Sequence, residues 1–214
     1  MLNLKKIGYQ FYNERDLEIP AILDFVKEHP DVVTALDVGC HWSWSYYAPE
    51  IRKMLSNYDG LDLLADSQTA AIIDKYWQIN VLDFENRHYD LVMCISSLEH
   101  AGISTYKIKD YKLEQQEVFA KLLELSKKYL FLTFPYGKEA LHKGQFANIT
   151  KEQFTVLSRL VDIWGKTKEE LHFYFSEFPQ GKKLWEEVDM EFANEVEYKS
   201  ELGTRCLCIW SLEK

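Results

Sequence analysis

Continuous apolar runs mark the strands that this chain is expected to form. VVTALDV at 32–38, YDLVMCISSL at 89–98 and YLFLTF at 129–134 contain few polar residues. Such runs are typical of strands in parallel sheets, which helices cover on both faces. Two shorter runs, YDGLDLL at 58–64 and QINVLDF at 78–84, predict further strands.

Helical patterns lie between these runs. Ile22, Phe25 and Val26 recur at helical spacing, and Pro30 then ends the helix. Thr150 is a plausible N-cap for a later helix. The predicted helices cover 19–30, 49–55, 113–128 and 151–161.

The tail differs from this alternation, because residues 195–214 predict two strands joined by a turn at Gly203. The chain therefore predicts an α/β fold, Rossmann-like and doubly wound, with a mostly parallel sheet and an antiparallel hairpin at the end. Ligands of such sheets bind beyond the carboxyl ends of the strands, where the strand order reverses.

Composition narrows the class of protein. The chain has 214 residues, 47% of them hydrophobic, which fits one domain with a sizeable core. Its 25 Lys and Arg against 34 Asp and Glu give a net charge of −9, which disfavours nucleic acid as a partner. No segment approaches the roughly 20 apolar residues of a membrane helix, and the N-terminus has no secretory pattern. We therefore expect a soluble, cytoplasmic protein without a membrane partner.

The four cysteines, Cys40, Cys94, Cys206 and Cys208, lack the spacing of a zinc site. Because two of them sit inside apolar runs, a structural role is expected for them rather than a reactive one. No carboxylate cluster of the kind that binds Mg²⁺ is evident, so the sequence predicts no metal requirement.

Polar residues at three predicted strand ends are candidates for ligand binding. Asp37 and Gly39 follow the first strand, where a glycine lets the backbone approach a ligand closely. Asp62 ends the second, and a carboxylate there can accept two bonds from the hydroxyls of a ribose. Asp83 ends QINVLD and has an acceptor for an adenine amine. Each residue also has a structural alternative. Gly39 would form an ordinary strand-to-helix turn, Asp62 would be a solvated turn residue, and Asp83 would cap the next turn. Asp66 is the neighbouring alternative to Asp62 as the ribose ligand.

The fourth strand ends on Ser96-Ser97-Leu98-Glu99-His100. This segment puts hydroxyls, a carboxylate and an imidazole on the expected ligand rim. The unperturbed pKa of histidine suits proton transfer near neutrality, which makes His100 a candidate general base. Alternatively, Glu99 and His100 orient the loop or cap the following helix.

Together these segments resemble the class I S-adenosylmethionine-dependent methyltransferases over roughly residues 30–140. The resemblance is closest to bacterial methyltransferase-like proteins with an S-x-x-E-H-x-G segment followed by a P-[YF]-G-K segment. Here these segments are Ser96, Glu99, His100 and Gly102, and then Pro135, Tyr136, Gly137 and Lys138. The segment TRCLCIWSLEK resembles the final strand of that family.

The resemblance implies one methyltransferase-like domain over 1–214 with a seven-stranded sheet whose last strand is antiparallel. This domain comprises an N-terminal helical cap at 1–30, a cofactor-binding core at 31–140, and lid helices with the C-terminal hairpin at 141–214. The implied cofactor is S-adenosylmethionine.

The resemblance also implies roles for the candidate residues. Asp37 and Gly39 border the methionine part of the cofactor, Asp62 binds the ribose and Asp83 the adenine. Ser96 and Glu99 lie beside the sulfonium and the substrate pocket, and His100 faces the acceptor. His100 and Glu99 are the implied catalytic residues.

One departure bears on the cofactor. The family usually has further glycines after Gly39, whereas this chain has His41, Trp42 and Ser43. Their rings either crowd the methionine carboxylate or stack on the ligand. The favoured function is methyl transfer to a small-molecule or sugar acceptor at oxygen, with His41 as the second candidate base. An inactive methyltransferase-like binding or regulatory protein is the alternative, and a nucleotide-dependent oxidoreductase is a weaker one.

The segment from Leu171 to Trp185 is rich in rings and includes Phe173, Tyr174, Phe175 and Phe178. It is expected to be a substrate platform, a packed lid or the contact of a homodimer.

Overall fold

The protein is built on one large mixed sheet. The computed structural model describes residues 14–85, 87–103, 110–142, 145–177, 184–199 and 205–214. Ten strands lie in these ranges: β1 (Thr34–Val38), β2 (Asn57–Asp62), β3 (Lys75–Gln78), β4 (Tyr89–Ile95), β5 (Ser126–Tyr136), β6 (Leu141–His142), β7 (Phe146–Ala147), β8 (Lys168–Glu177), β9 (Leu184–Val188) and β10 (Arg205–Glu213). Eight of them form a sheet of order β3-β2-β1-β4-β5-β10-β8-β9, and β6 pairs with β7 in a small separate ribbon.

The five strands from β3 to β5 are parallel. The strand order runs outward from β1 in one direction and from β4 in the other, so it reverses between β1 and β4. The carboxyl ends of β1, β2 and β4 therefore surround the crevice where open α/β sheets bind ligands.

Helices cover both faces of the sheet, as the continuous apolar strands predicted. They are α1 (Arg15–Glu28), α2 (Ala48–Met54), α3 (Ser67–Ala70), α4 (Tyr111–Leu125), α5 (Lys151–Trp164) and α6 (Met190–Glu195). One apolar core joins α4 and α5 to the sheet, and a second joins α1 and α2 to the opposite face. The doubly wound α/β prediction is thus confirmed. Thr150 also caps α5 as predicted, in a reciprocal capping box with Gln153.

The third strand lies earlier in the chain than predicted. β3 is KYWQ at 75–78, whereas VLD at 81–83 forms a 3₁₀ turn that buries Val81 and is followed by buried Phe84. An edge strand pairs on one side only and is partly exposed, so it lacks the apolar run that identifies central strands.

The antiparallel end of the sheet differs more from the prediction. The last strand, β10, lies between β5 and β8 and is antiparallel to both. Its expected hairpin partner, the segment from residue 195, is not a strand where the structure describes it, and Gly203 lies outside the described residues. With β9 paired to β8, the sheet has eight strands rather than seven.

The ring-rich segment from Leu171 to Trp185 supplies most of β8, which pairs with β10 in place of the predicted hairpin strand. Phe173 and Tyr174 are successive residues of β8 and are both buried, one in each apolar core. Successive side chains of a strand face opposite sides of the sheet, so the rings serve both faces of a central strand. At these two positions the segment is therefore part of the sheet. Phe178 lies outside the described residues.

Asp37, at the end of β1, is buried among tyrosine side chains, and its predicted contact with the methionine group stays a prediction. Its side chain is fully buried and accepts hydrogen bonds from the hydroxyls of Tyr58 (2.7 Å) and Tyr47 (3.3 Å). Burial raises the pKa of Asp37 from 3.8 to about 7, although the two hydroxyls oppose the shift.

Replacing Asp37 with Asn is expected to change the pH dependence of stability. The folded carboxyl holds its proton between pH 4 and pH 7 while the unfolded one releases it, so the free energy of unfolding falls as the pH rises through this window. At about 1.4 kcal/mol per pKa unit, the wild type loses roughly 4 kcal/mol relative to Asp37→Asn between pH 4 and pH 8. Urea unfolding of both proteins at several pH values measures this difference. Parallel stability curves would show that Asp37 is ionised in the fold.

Gly39 allows the loop after β1 to contact the loop after β4. Its φ is +79°, and a Cβ at this position would lie 2.1 Å from Oγ of Ser97. Oγ of Ser97 in turn donates a hydrogen bond to the carbonyl of Gly39 at 3.2 Å. Gly165, just after α5, provides a comparison, because its φ is +86° and a Cβ there would have no neighbour within 4 Å.

The two glycines are expected to respond differently to alanine. Gly165→Ala adds only the strain of a left-handed alanine, about 1–2 kcal/mol. Gly39→Ala adds the same strain and the overlap with Ser97, so we expect a further loss of at least about 2 kcal/mol. Chemical unfolding of both variants tests this difference. Equal losses would mean that the loop after β4 moves away at little cost.

Candidate cofactor and acceptor site

Asp62, the last residue of β2, lies beside the loop that follows β1. Its Oδ2 accepts the backbone N–H of His41 at 3.0 Å, and its Oδ1 accepts that of Leu64 at 2.8 Å. Each carboxylate oxygen can accept a second bond, and the side chain is half-buried. Asp62 therefore keeps acceptor capacity at the strand end where the sequence places it.

Asp66, the alternative to Asp62, accepts hydrogen bonds from backbone N–H groups of the protein itself. It caps α3 through the backbone N–H groups of Gln68 and Thr69, and its Oδ2 accepts the N–H of Trp42 at 2.8 Å. Burial alone would raise the pKa of Asp66, but these hydrogen bonds lower it below the usual value. Asp66 thus holds the loop after β1 in place.

The loop after β1 carries two indole rings, of which Trp42 is exposed and Trp44 half-buried. Trp42 has a φ of 68°, and 62% of its surface is exposed. Three polar atoms of the same loop are buried without a hydrogen-bond partner: Nδ1 of His41, Oγ of Ser43 and Nε1 of Trp44. Buried polar groups normally have hydrogen-bond partners, so these atoms fit a polar group of a ligand, although the loop lacks the family's further glycines.

Asp83 is exposed at the end of the 3₁₀ turn Val81–Asp83. The cap of this turn is Asn80, whose side chain accepts the N–H of Leu82 at 3.0 Å. Asp83 therefore does not cap this turn, and its roles as a cap of the following turn or as the acceptor for the adenine amine stay predictions.

Ser96 ends β4 in a strained conformation, with a φ of 45°. Its N–H donates to Oγ1 of Thr133 at 3.0 Å, and its hydroxyl donates to Oε1 of Glu18. Glu18 is fully buried in α1, also accepts the hydroxyl of Thr133 at 2.6 Å, and pairs with Arg15 at 2.6 Å. A hydrogen-bonded network thus joins α1 to the ends of β4 and β5.

Glu18 is a site residue that was missed from the sequence, although a signal was present. It lies four residues before Ile22 and eight before Val26, on the apolar face of α1. A carboxylate on the buried face of an amphipathic helix requires a partner, and that requirement indicates a polar site in the fold.

Glu99 is only 4% exposed, and its Oε2 has no hydrogen-bond partner. Burial raises the pKa of Glu99 well above its usual range, and the nearby Glu18 carboxylate acts in the same direction. Both effects favour the protonated, uncharged form of the side chain.

His100 is exposed, and its Nδ1 lies 2.7 Å from the carbonyl oxygen of Gln145. Because a carbonyl only accepts, Nδ1 carries the proton, and Nε2 has the lone pair in the neutral ring. Partial desolvation by the surrounding protein atoms lowers the pKa of His100 below 6.5, and the hydrogen bond to the Gln145 carbonyl opposes this shift. At neutral pH the ring is thus an uncharged base with Nε2 as its basic atom.

A cleft of about 210 Å³ adjoins these residues, beyond the ends of β4 and β5. Its wall includes Ser96, Glu99 and His100 together with Arg15 of α1 and Arg205 of β10. Arg205 was not predicted, because it lies more than a hundred residues from the S-x-x-E-H segment and nothing in its local sequence indicates a ligand.

The predicted residues therefore divide into two groups. Gly39 and Asp62 border the crevice at β1 and β2, whereas Ser96, Glu99 and His100 line the cleft beyond β4. Among the described residues, no group of three or more His, Cys, Asp or Glu side chains is placed to hold a metal ion. All four cysteines are buried and free. No helix in the described part of the chain is both long and apolar enough to cross a membrane.

Comparisons with known proteins give a fold but no close relative. No family model matches the chain. No curated protein matches it either.

Solved structures of similar fold are methyltransferases. The chain is similar to a putative methyltransferase from Bacillus halodurans, with 12% identity, TM-score 0.59, and coverage of 91% of this chain and 99% of that one. A SAM-dependent methyltransferase from Archaeoglobus fulgidus matches with 14% identity and TM-score 0.57 over 95% and 96% of the two chains. The 1,6-didemethyltoxoflavin-N1-methyltransferase from Burkholderia thailandensis, bound to its substrate and S-adenosylhomocysteine, matches with 11% identity and TM-score 0.55 over 92% and 79%. The chain thus has, over nearly its full length, the fold of the class I S-adenosylmethionine-dependent methyltransferases.

Proposed function

We propose that the protein is an S-adenosylmethionine-dependent methyltransferase that acts on an oxygen atom of a small-molecule or sugar acceptor. The observation that carries this proposal is the position of His100. Its basic Nε2 belongs to a residue that lines a cleft directly beside the β1–β4 crevice of a methyltransferase fold. A base at this position serves an acceptor whose proton must leave during transfer, as a hydroxyl requires.

The crevice residues fit the cofactor. Asp62 retains acceptor capacity for ribose hydroxyls, Asp83 is exposed for the adenine amine, and Gly39 keeps the backbone close to the strand ends. Oγ of Ser43, which is buried without a hydrogen-bond partner, suits the polar end of the methionine group, and Nδ1 of His41 in the same loop lies 3.8 Å from the Asp66 carboxylate. S-adenosylmethionine supplies, when bound, a methyl group already activated on sulfur.

The protein's own contribution is positioning and proton removal. The Gln145 carbonyl holds Nδ1–H of His100, so that Nε2 accepts the proton as the acceptor O–H bond breaks. Burial favours the protonated form of Glu99, which is a poor base, and we therefore assign the base to His100. Ser96 has a fixed orientation because its hydroxyl is committed to Glu18.

An inactive binding or regulatory protein is the second candidate. The observation that favours it is the loop after β1, where Trp42 adopts a positive φ in place of a glycine. Cofactor binding separates the two candidates.

S-adenosylhomocysteine is expected to bind and stabilise the protein. At a hundred times its dissociation constant it adds about 2.7 kcal/mol, which raises Tm by roughly 5–10 °C for a chain of this size. Asp62→Asn removes the charge and part of the acceptor capacity, so we expect at least about tenfold weaker binding. Asp24→Asn, an exposed change in α1, is the matched control and leaves the binding unchanged. Calorimetric titration measures both.

Absence of heat and of any Tm shift at millimolar S-adenosylhomocysteine would refute the proposed function and favour the inactive candidate. Equal binding by the Asp62 and Asp24 variants would refute the role of Asp62 alone.

His100 is expected to show the Nδ1–H tautomer and a pKa below 6.5 by ¹⁵N NMR. His100→Asn keeps a donor near the Nδ1 position for Gln145 but lacks Nε2, whereas His100→Gln has its amide near the Nε2 position. With any acceptor that supports turnover, His100→Asn is expected to lower kcat about 10²–10⁴-fold without loss of thermal stability. The wild-type rate falls as the pH drops through the pKa of His100, because the ring then becomes protonated. A proton on Nε2 or a pH-independent rate would contradict the assignment.

A further inference from the structure

The charged groups in the wall of the cleft are already paired with each other. Arg15 pairs with Glu18 at 2.6 Å, and Arg205 pairs with Glu14. Each guanidinium thus has its own carboxylate, and Glu99 adds no charge in its neutral form. Among the described residues of this wall, a charged ligand would find each charged side chain already paired, which makes its entry into a partly buried site costly.

Two polar atoms in the same wall are buried and unpartnered. They are Oε2 of Glu99, in a side chain that is only 4% exposed, and Nε of Arg205, whose terminal nitrogen is engaged by Glu14. A protonated carboxyl both donates and accepts, whereas the guanidinium Nε–H only donates. Together with Nε2 of His100, the wall offers donors and acceptors in the combination that hydroxyl groups satisfy.

Aromatic side chains line another part of the cleft. Phe146 packs edge-on against both His100 and Tyr198, with ring centroids 5.7 Å and 6.1 Å apart. The Arg205 guanidinium lies 5.8 Å from the centre of the Tyr198 ring. This aromatic wall suits the C–H face of a sugar ring. The volume of about 210 Å³ is below the roughly 300–1,000 Å³ of drug-sized sites, so it holds one small ring.

We propose that the acceptor is an uncharged, hydroxyl-bearing ring of the sugar type, which bonds to the Glu99 carboxyl and to Nε–H of Arg205 and packs on the Phe146–Tyr198 wall. This inference rests on the proposed function, because it assigns the cleft to the acceptor. In the bound state, hydroxyls of the ring bond to these two polar atoms, and a further hydroxyl faces Nε2 of His100. Glu99 then contributes to acceptor specificity by binding a hydroxyl, and it does not remove the proton.

Methyl glycosides are suitable probes of this cleft. We suggest titrating the full chain by calorimetry with methyl glycosides of the gluco, galacto, manno, fuco and rhamno series, with and without S-adenosylhomocysteine. The matched charged compounds are the methyl glycosides of glucuronate and glucosamine. At least one neutral glycoside is expected to bind about tenfold or more tightly than its charged analogue.

Two results would overturn the inference. One is a charged analogue that binds as tightly as its neutral parent or more tightly. The other is no binding by any neutral glycoside at millimolar concentration. Binding of S-adenosylhomocysteine in the same experiments keeps the proposed function intact in either case, whereas its absence refutes that function separately.

Variants of Glu99 test its role in selection. Glu99→Gln keeps a neutral donor and acceptor, so glycoside binding is expected to stay within about threefold of wild type. Glu99→Leu has a similar size without polar atoms, and binding is expected to weaken about tenfold or more. Because Leu removes an unpartnered buried oxygen, the Tm of the free Leu variant is expected to equal or exceed that of wild type.

A structural role for Glu99 would produce the opposite pattern, in which Glu99→Leu lowers Tm. If Glu99→Gln weakened glycoside binding as much as Glu99→Leu, the site would need an ionised carboxylate, and the uncharged-acceptor assignment would be wrong.

Discussion

The buried carboxylate of Glu18 is the interaction on which the geometry of the cleft depends. It accepts hydrogen bonds from Ser96 of the β4 end and Thr133 of β5, and its charge is balanced by Arg15. An isolated buried carboxylate would be unstable, so all three partners are needed to hold it in the core. Through them, α1 is held over the carboxyl ends of two parallel strands, and Ser96 is held in its strained conformation.

The negative charge of Glu18 also affects its neighbours. It acts with burial to keep Glu99 protonated, whereas Asp37 is kept protonated towards neutral pH by burial despite two tyrosine hydroxyls. Burial thus favours the neutral form of Glu99 and Asp37, whereas Glu18 is paired with the Arg15 guanidinium at 2.6 Å.

The loop after β1 shows how a glycine-poor segment still fits a methyltransferase sheet. Asp62 and Asp66 hold the backbone N–H groups of His41 and Trp42, so the loop is fixed by carboxylates rather than by conformationally free residues. The Trp42 ring is largely exposed to solvent. Gly39 is the residue that cannot be replaced cheaply, since Ser97 occupies the space of a side chain.

Local sequence alone determined the central parallel strands, the cap of α5 and the strand-end positions of Asp62, Glu99 and His100. The physical reason is that burial on both faces makes such strands continuously apolar, and their carboxyl ends must share one edge. Only the tertiary structure decided that Asp37 faces the core, that β8 rather than residue 195 onward pairs with β10, and that Glu18 and Arg205 reach the site. Side-chain alternation, strand pairing and ion pairing between distant parts of the chain depend on contacts that no local pattern records.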